Sequence, residues 1–523
     1  MAGSLAALVL VAAVIYLVRQ YLTFRSNVAS LRNWPGFRVV LSPLSTIGTA
    51  VPFTKHISMG NRWAWTLKRK PFIEAGWNIV SIVALWPPTK VLYVADAEAV
   101  KEITLSSQRF PKPLEQYIGL IMYGQNVVTT EGKEWKRHRK ISAPAFSERN
   151  NRLVFEAAVG IMNDLYAKVW GTKESIEVDH CLDLTLPIAL MVLSIAGFGK
   201  PMGWEEDGTP APGRTLPFTK ALFIVSRDII PKLLAPEWAM NLHPRLRETK
   251  AGYDELGLYM ADMIRERKEM IASGKAGVGE RADLLTNLLA ASEGEEEDAL
   301  KLTNEELTGN IFIYLVAGHE TTAHTLCYTL GMLALYPDEQ EKLHKHIKSV
   351  IGDRQPTYDD FNALDRVLAC FYETLRMFPP VCYIPKKAGE DLVLPVSSAI
   401  NDEKKTLHCP KGTNITLNTP GLHYNPKYWK DPETFKPDRF LEDYNKDAFV
   451  PFSSGARACI GRKFGETEAV AVLSMLISKY TVAVLDEPQY RGETIEERRE
   501  RIFKSDIMIT LTPERVPLVF KRR

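Results

Sequence analysis

One stretch limits the possible folds more than any other. From Thr303 the sequence keeps a helical apolar period through Ile311, Leu315, Leu326 and Leu330 to Tyr336, where Pro337 stops it. Thr303 and Glu306 have capping-box spacing, the hydroxyl accepting from the N3 amide while the carboxylate reaches back. Roughly 33 residues at ~1.5 Å each span about 50 Å, more than a small domain is wide. Such a helix must cross a large core. At its centre lies AGHETT, residues 317–322. Gly318 and Thr321 each cost about 0.5–1 kcal/mol there relative to alanine. A helix weakened at its middle predicts either a functional site or a packing need for a small residue.

Around this helix the patterns are mostly helical. Asn151 to Trp170, Asp254 to Ala272 and Pro337 to Val350 space apolar residues three and four apart. Strand-like segments are fewer: Val91 to Val94, Asn414 to Leu417, and the tail around Ile507 to Leu511. The fold class predicted is mainly α with small peripheral β-sheets. Gly203 to Arg214 and the acidic run Ser292 to Asp298 read as solvated loops. A chain with 46% apolar and 24% charged residues is not mostly disordered, collagen-like or a polytopic membrane protein. Lys+Arg 65 against Asp+Glu 63 leaves no global charge to attract nucleic acid. The six cysteines contain no CxxC pair, which excludes a zinc ribbon or a thioredoxin-like motif and fits a reducing compartment.

Ala2 to Val18 carries no charged side chain, and Tyr21, Leu22 and Phe24 extend the apolar run past Arg19. A cleaved signal peptide normally has a basic segment before the run, and none precedes this one. Arg19, Arg25, Arg32 and Arg38 follow it, which puts the body in the cytosol. The expected organisation is an uncleaved membrane anchor over residues 1–24, a linker over 25–34 and one large domain over 35–523.

Two motifs compete for the chemistry. His319-Glu320 resembles the start of a zinc-protease HExxH, but position 323 is Ala323. His324 lies about 140° from His319 round a helix, so the two cannot share a metal. Gly274, Gly277 and Gly279 do not make GxGxxG, so no nucleotide-binding turn is indicated. The specific signal is Phe452-Ser-Ser-Gly455-Ala-Arg457-Ala-Cys459-Ile-Gly461, an FxxGxRxCxG pattern. Upstream, and in a fixed order, stand Trp135-Lys-Arg-His-Arg139, Glu373-Thr-Leu-Arg376 and Phe435-Lys-Pro-Asp-Arg439-Phe440.

With these motifs the chain resembles the haem-thiolate monooxygenases of the cytochrome P-450 superfamily, from about Pro35 to the C-terminus. The resemblance implies a single haem domain holding haem b, with Cys459 as the axial thiolate ligand of the iron. A thiolate pushes electron density onto iron and favours O–O cleavage. Phe452 would shield the sulfur. Gly455 and Gly461 would let the backbone approach the macrocycle. Arg457, Trp135 and Arg139 would bind haem propionates. Glu373, Arg376 and Arg439 would form a buried structural charge network. Ala317 and Gly318 would break the long helix where oxygen binds, with Thr321 holding a water and Glu320 supplying protons. One departure is Lys386-Lys387, where many relatives carry an arginine for a propionate; lysine offers a point charge and not a fork.

The resemblance also implies partners. After Cys459 only 64 residues remain, too few for a flavin reductase. Electrons would come from NADPH through a separate membrane-bound FAD/FMN reductase, with cytochrome b5 as a second donor. Lys133, Lys136, Arg137, Lys140, Arg462 and Lys463 would meet its acidic surface. The location implied is the endoplasmic reticulum membrane, single-pass, with the catalytic domain cytosolic. Tyr117 to Tyr123, Phe218 to Leu234, Ile311 to Ala317 and Val381 to Ile384 would line an apolar pocket for a small lipophilic substrate. AGHETT, Ala145 to Asn151 and the anchor are similar to fungal, basidiomycete microsomal members, which suggests a terpenoid or sterol-like triterpenoid of secondary metabolism; a small aromatic compound is the alternative. An O₂-independent isomerase or dehydratase and a non-catalytic haem-binding membrane protein are the rivals from other classes.

Overall fold

The computed structural model describes residues 2–204, 209–273, 283–293 and 301–523. Gly274, Gly277, Gly279 and parts of the two expected loops (205–208 and 294–298) lie outside the described residues. The chain is about 56% helical, with small sheets. It divides into two compact units that interleave in sequence: residues 1–113, 381–434 and 444–459 form one, and 114–380, 435–443 and 460–523 form the other.

The first unit opens with a helix over Ala2–Ser30, whose apolar side chains from Leu5 to Leu22 are exposed. Helix therefore continues into the segment expected as linker, because no proline follows until Pro35. Its end leans on a five-stranded sheet, Lys90 Nζ donating to Ser30 Oγ at 2.9 Å. The strands lie in the order Gly36–Leu41, Ile79–Trp86, Thr89–Val94, Asn414–Asn418, Tyr383–Lys387. The outer pair Gly36–Leu41 and Ile79–Trp86 is parallel, and Ile79–Trp86 turns back antiparallel onto Thr89–Val94, with Ile82 opposite Val91. Ile79 to Ala84 is buried on both faces. That explains why the strand shows no alternation in sequence. A hairpin, Leu392–Ser397 with Lys404–Cys409, completes the sheet content of this unit.

The second unit is built round the helix Asn304–Leu335. Both halves of the capping box form, and Pro337 begins the next helix, Pro337–Ile351. Buried residues lie on every side of the long helix except around 317–321, as a helix crossing a core requires. Helices Leu182–Val192, Asp365–Met377 and Arg462–Lys479 pack against it. Thr185 Oγ1 donates to Ala323 O at 2.9 Å, and Tyr328 stacks on Phe378 at 4.5 Å. The expected break at Ala317-Gly318 is not there: the helix is continuous through 317–322. Packing over its length outweighs a local penalty of about 1–2 kcal/mol. The strand Leu518–Arg522 pairs antiparallel with Ser175–Val178 and Tyr480–Val484, and the tail forms the short hairpin Ser505–Ile507 with Leu511–Pro513.

Candidate functional site

Five of the six cysteines are buried, and Cys459 alone is exposed. It ends a loop that the chain holds in shape from within. Cys459 N donates to Phe452 O at 2.8 Å, Ala458 N to Gly455 O at 3.1 Å and Ser453 N to Val450 O at 3.0 Å. Val450 N donates to His423 Nε2 at 3.0 Å. Gly455 has φ +67°, and a Cβ there would stand 2.4 Å from Thr104 O, so only glycine serves. Gly461 differs. Its φ is −88°, and a Cβ would meet nothing nearer than Phe146 at 3.7 Å. The protein's own packing does not demand glycine at 461. An exposed thiol on a rigid loop, beside a backbone edge without side chains and near Arg457, fits a haem-thiolate donor set.

In the second unit the long helix is buried from Gly309 to Leu333 except at its centre. Ala317 is exposed, and Gly318, Glu320 and Thr321 are half-buried. Ala317 and Thr321 share one face, four residues apart. Thr321 Oγ1 donates to Ala317 O at 2.9 Å, leaving its lone pairs to accept. Gly318 points elsewhere: a Cβ would approach the Leu193 methyls at 3.2 Å, so this glycine meets a packing need. Glu320 faces a cavity of about 260 Å³, lined also by Leu186, Pro187, Leu190, Lys220 and Phe223. Burial raises its carboxyl to about 7, against a smaller opposing effect of the Ser226 hydroxyl. The neighbouring imidazoles cannot form a zinc site. His319 Nδ1 donates to Leu315 O at 2.6 Å and burial lowers its pKa to about 4; His324 is engaged with Thr510 at 3.0 Å and is lowered to about 3.

The three expected network charges meet. Arg376 grips Glu373 through Nε and Nη2, both at 2.8 Å, and Arg439 Nε donates to Glu373 Oε1 at 3.0 Å. Lys436 N adds a fourth bond at 2.9 Å. Glu373 and Arg376 are fully buried. Trp135 and Arg139 lie on the helix Gly132–Ser142, four apart, both half-buried. Lys386 is buried on its strand, and Lys387 is half-buried.

Of the six expected docking cations, Arg137, Arg462 and Lys463 are bound to groups of the chain itself. Arg137 is held by Glu134 and Glu306, Arg462 by Glu466 at 2.6 Å, and Lys463 sits 3.3 Å over the Phe361 ring. A guanidinium or ammonium held inside the chain is a poor handle for a partner. Lys133, Lys136 and Lys140 are exposed. Some expected pocket residues are core: Tyr123 stacks on Tyr253 at 5.9 Å and donates to its carbonyl at 2.6 Å. Sequence reasoning missed Glu468, fully buried on the helix after Cys459, with neither carboxylate oxygen hydrogen-bonded among the described residues. Its signal was a lone acid leading the apolar run Ala469 to Leu473.

Residues 79–501 match the cytochrome P450 family. Cytochrome P450 monooxygenase 124 of Postia placenta is 48% identical over 510 residues, 97% of each chain. Cytochrome P450 monooxygenase ORF6 of Penicillium roqueforti is 30% identical, covering 88% of this chain and 84% of its own. The crystal structure of the cytochrome P450DA heme domain superposes with a TM-score of 0.72 at 23% identity, over 94% of this chain and 98% of that one, and so shares the fold. The exposed thiol on its glycine loop, the Glu373 network and a match running through both units leave one assignment: this chain belongs to the cytochrome P450 family.

Proposed function

We propose that the protein is a membrane-anchored monooxygenase that places one atom of O₂ into a lipophilic substrate, a terpenoid or sterol-like triterpenoid of fungal secondary metabolism. Family membership makes it a haem-thiolate oxidoreductase. The observation that carries the finer reading is the centre of the long helix, where an acid with a pKa near neutrality adjoins an accepting hydroxyl. That pair favours a monooxygenase over an isomerase, a dehydratase or a carrier, none of which must activate oxygen.

When bound, haem supplies the iron that binds and activates oxygen. The chain does the rest. Cys459 gives the thiolate, and the hydrogen bond from Cys459 N to Phe452 O fixes the loop that presents it. Arg457, Trp135 and Arg139 would hold the cofactor's carboxylates, and the glycines at 455 and 461 would keep side chains away from it. Thr321 Oγ1 accepts a hydrogen bond from a water, since its own proton is committed to Ala317 O. Glu320 is about half protonated at neutral pH, which suits a group that must both take up and release protons. The cavity it faces, with Lys220 at its edge, is its route to solvent. Glu373, Arg376 and Arg439 are structural and take no part in proton transfer.

The helix Ser4–Ser30, with a mean hydropathy of 2.0 and none of its apolar window buried, is long and apolar enough to cross a membrane and serves as the anchor. Electrons come from a separate NADPH reductase carrying FAD and FMN, docking at Lys133, Lys136 and Lys140; this sets the domain in the cytosol at the endoplasmic reticulum. The test is turnover in reductase-containing microsomes with NADPH, offering a triterpene, a sesquiterpene and a small aromatic acid. Oxygen added to a terpenoid supports the proposal. Oxygen added only to the aromatic acid keeps the chemistry and overturns the substrate class.

A further inference from the structure

Glu306 serves two helices at once. At the start of the long helix it closes the capping box, accepting from Thr303 N at 2.9 Å. From the helix Gly132–Ser142, Arg137 straddles the same carboxylate, Nη1 to Oε2 at 2.9 Å and Nη2 to Oε1. Arg137 also donates to Lys301 O and to Glu134, each at 2.6 Å. His138 Nε2 lies 3.3 Å from Glu306 Oε1, and its Nδ1 lies 3.0 Å from Asn310 Nδ2. Asn310 Oδ1 in turn accepts from Val127 N at 3.0 Å. Glu134, His138 and Glu306 have the spacing of a metal triad. The guanidinium already occupies it, so the cation of this site is the chain's own.

A cap alone does not need this. Glutamine closes a capping box as well as glutamate. A two-pronged Arg–carboxylate pair adds a fixed plane and a fixed distance. Its effect follows from the helix wheel. At about 100° per residue, with Trp135 at zero, Arg139 falls at about 40°. Lys136, Lys140 and Lys133 fall at about 100–160°, and Arg137 and His138 at about 200–300°. The lysines are exposed, Trp135, Arg137 and Arg139 half-buried and His138 buried, while Glu134, at about 260° in the first turn, is exposed. The clamp therefore sets the rotation of the helix, and rotation decides where Trp135 and Arg139 point.

We propose that Arg137 and Glu306 are a positioning pair for Trp135 and Arg139, fixing the edge of this helix that holds the cofactor's carboxylates. The inference rests on the reading that Trp135 and Arg139 bind haem. The experiment uses the full-length haem-loaded protein and measures haem transfer to excess apomyoglobin, beside thermal melting. The variants are Glu306→Gln, which keeps the capping box, Arg137→Gln, the double variant, and Arg139→Gln as reference. Each single clamp variant is expected to speed haem loss about tenfold, in the range seen for groups that orient a ligand from behind it. The double variant should lose haem no faster than either single, since the two act as one unit. Lowered melting with unchanged haem transfer in both clamp variants, while Arg139→Gln loses haem quickly, overturns the positioning role. Unchanged haem transfer in Arg139→Gln itself overturns the haem-binding reading, and the positioning role with it.

Discussion

Thr321 and Glu320 are adjacent in sequence but point to different surroundings, and their chemistry separates accordingly. Thr321→Ala removes the acceptor hydroxyl and leaves the helix backbone bonded as before. Haem binding should persist while NADPH oxidation continues and reducing equivalents leave as hydrogen peroxide; product coupled to NADPH as tightly as in the wild type would remove Thr321 from the proton path. Cys459→Ala makes a simpler case, in which the thiolate signature of the carbon monoxide difference spectrum should vanish. Glu468 gives a prediction about stability. Burial raises its pKa well above the usual carboxylate value, so the folded state keeps a proton that the unfolded state releases above about pH 4.3. A raised folded pKa contributes stability at low pH that is lost as pH rises through the unfolded value and beyond. Glu468→Gln removes this dependence. Its melting temperature relative to the wild type should climb as pH rises above about 4.3, and a flat difference would mean that the carboxyl is ionised when folded.

At the scale of elements, the helix Gly132–Ser142 presents its lysine sector to solvent. Reversing Lys133, Lys136 and Lys140 to glutamate should raise the KM for the reductase several-fold and flatten its dependence on salt, with kcat at saturating reductase little changed. An unaltered KM would place the docking face elsewhere. This helix also shows what the sequence could and could not convey. Its charges were legible as residues, but which of them were spent inside the protein depended on Glu306, 169 positions from Arg137. The long helix, its cap and its stop were legible because a local period and two local signals define them. The strand Ile79–Trp86 was not, since burial on both faces removes the alternation that marks a strand. The Glu373 network was legible only through its motif order, because a buried carboxylate with two arginines has no local pattern. Gly318 read as a functional break, and Leu193, from another helix, supplies its actual constraint.

For the whole molecule the first helix is the proposed membrane anchor. Twenty-seven residues at about 1.5 Å each make some 40 Å of helix, against a hydrocarbon layer of about 30 Å. Such a segment inserts with far more free energy than a surface patch provides. Its C-terminal end is tied to the sheet through Lys90 and Ser30, and Leu31 is fully buried, whereas residues 2–24 give the sheet an exposed hydrogen bond, Trp86 Nε1 donating to Tyr16 Oη at 2.8 Å. Cutting before Arg25 should therefore spare the folded unit. A variant lacking residues 2–24 should keep the thiolate haem spectrum and the thermal midpoint of the full chain, and should move from the membrane pellet to the high-speed supernatant. Its turnover with detergent-solubilised reductase should match that of the full chain, while turnover with reductase in vesicles should fall, because the two proteins no longer share a surface. If the truncated protein still pellets with vesicles, the affinity lies instead in exposed apolar residues of the second unit, where Ile230, Leu234, Trp238 and Leu242 stand more than half exposed.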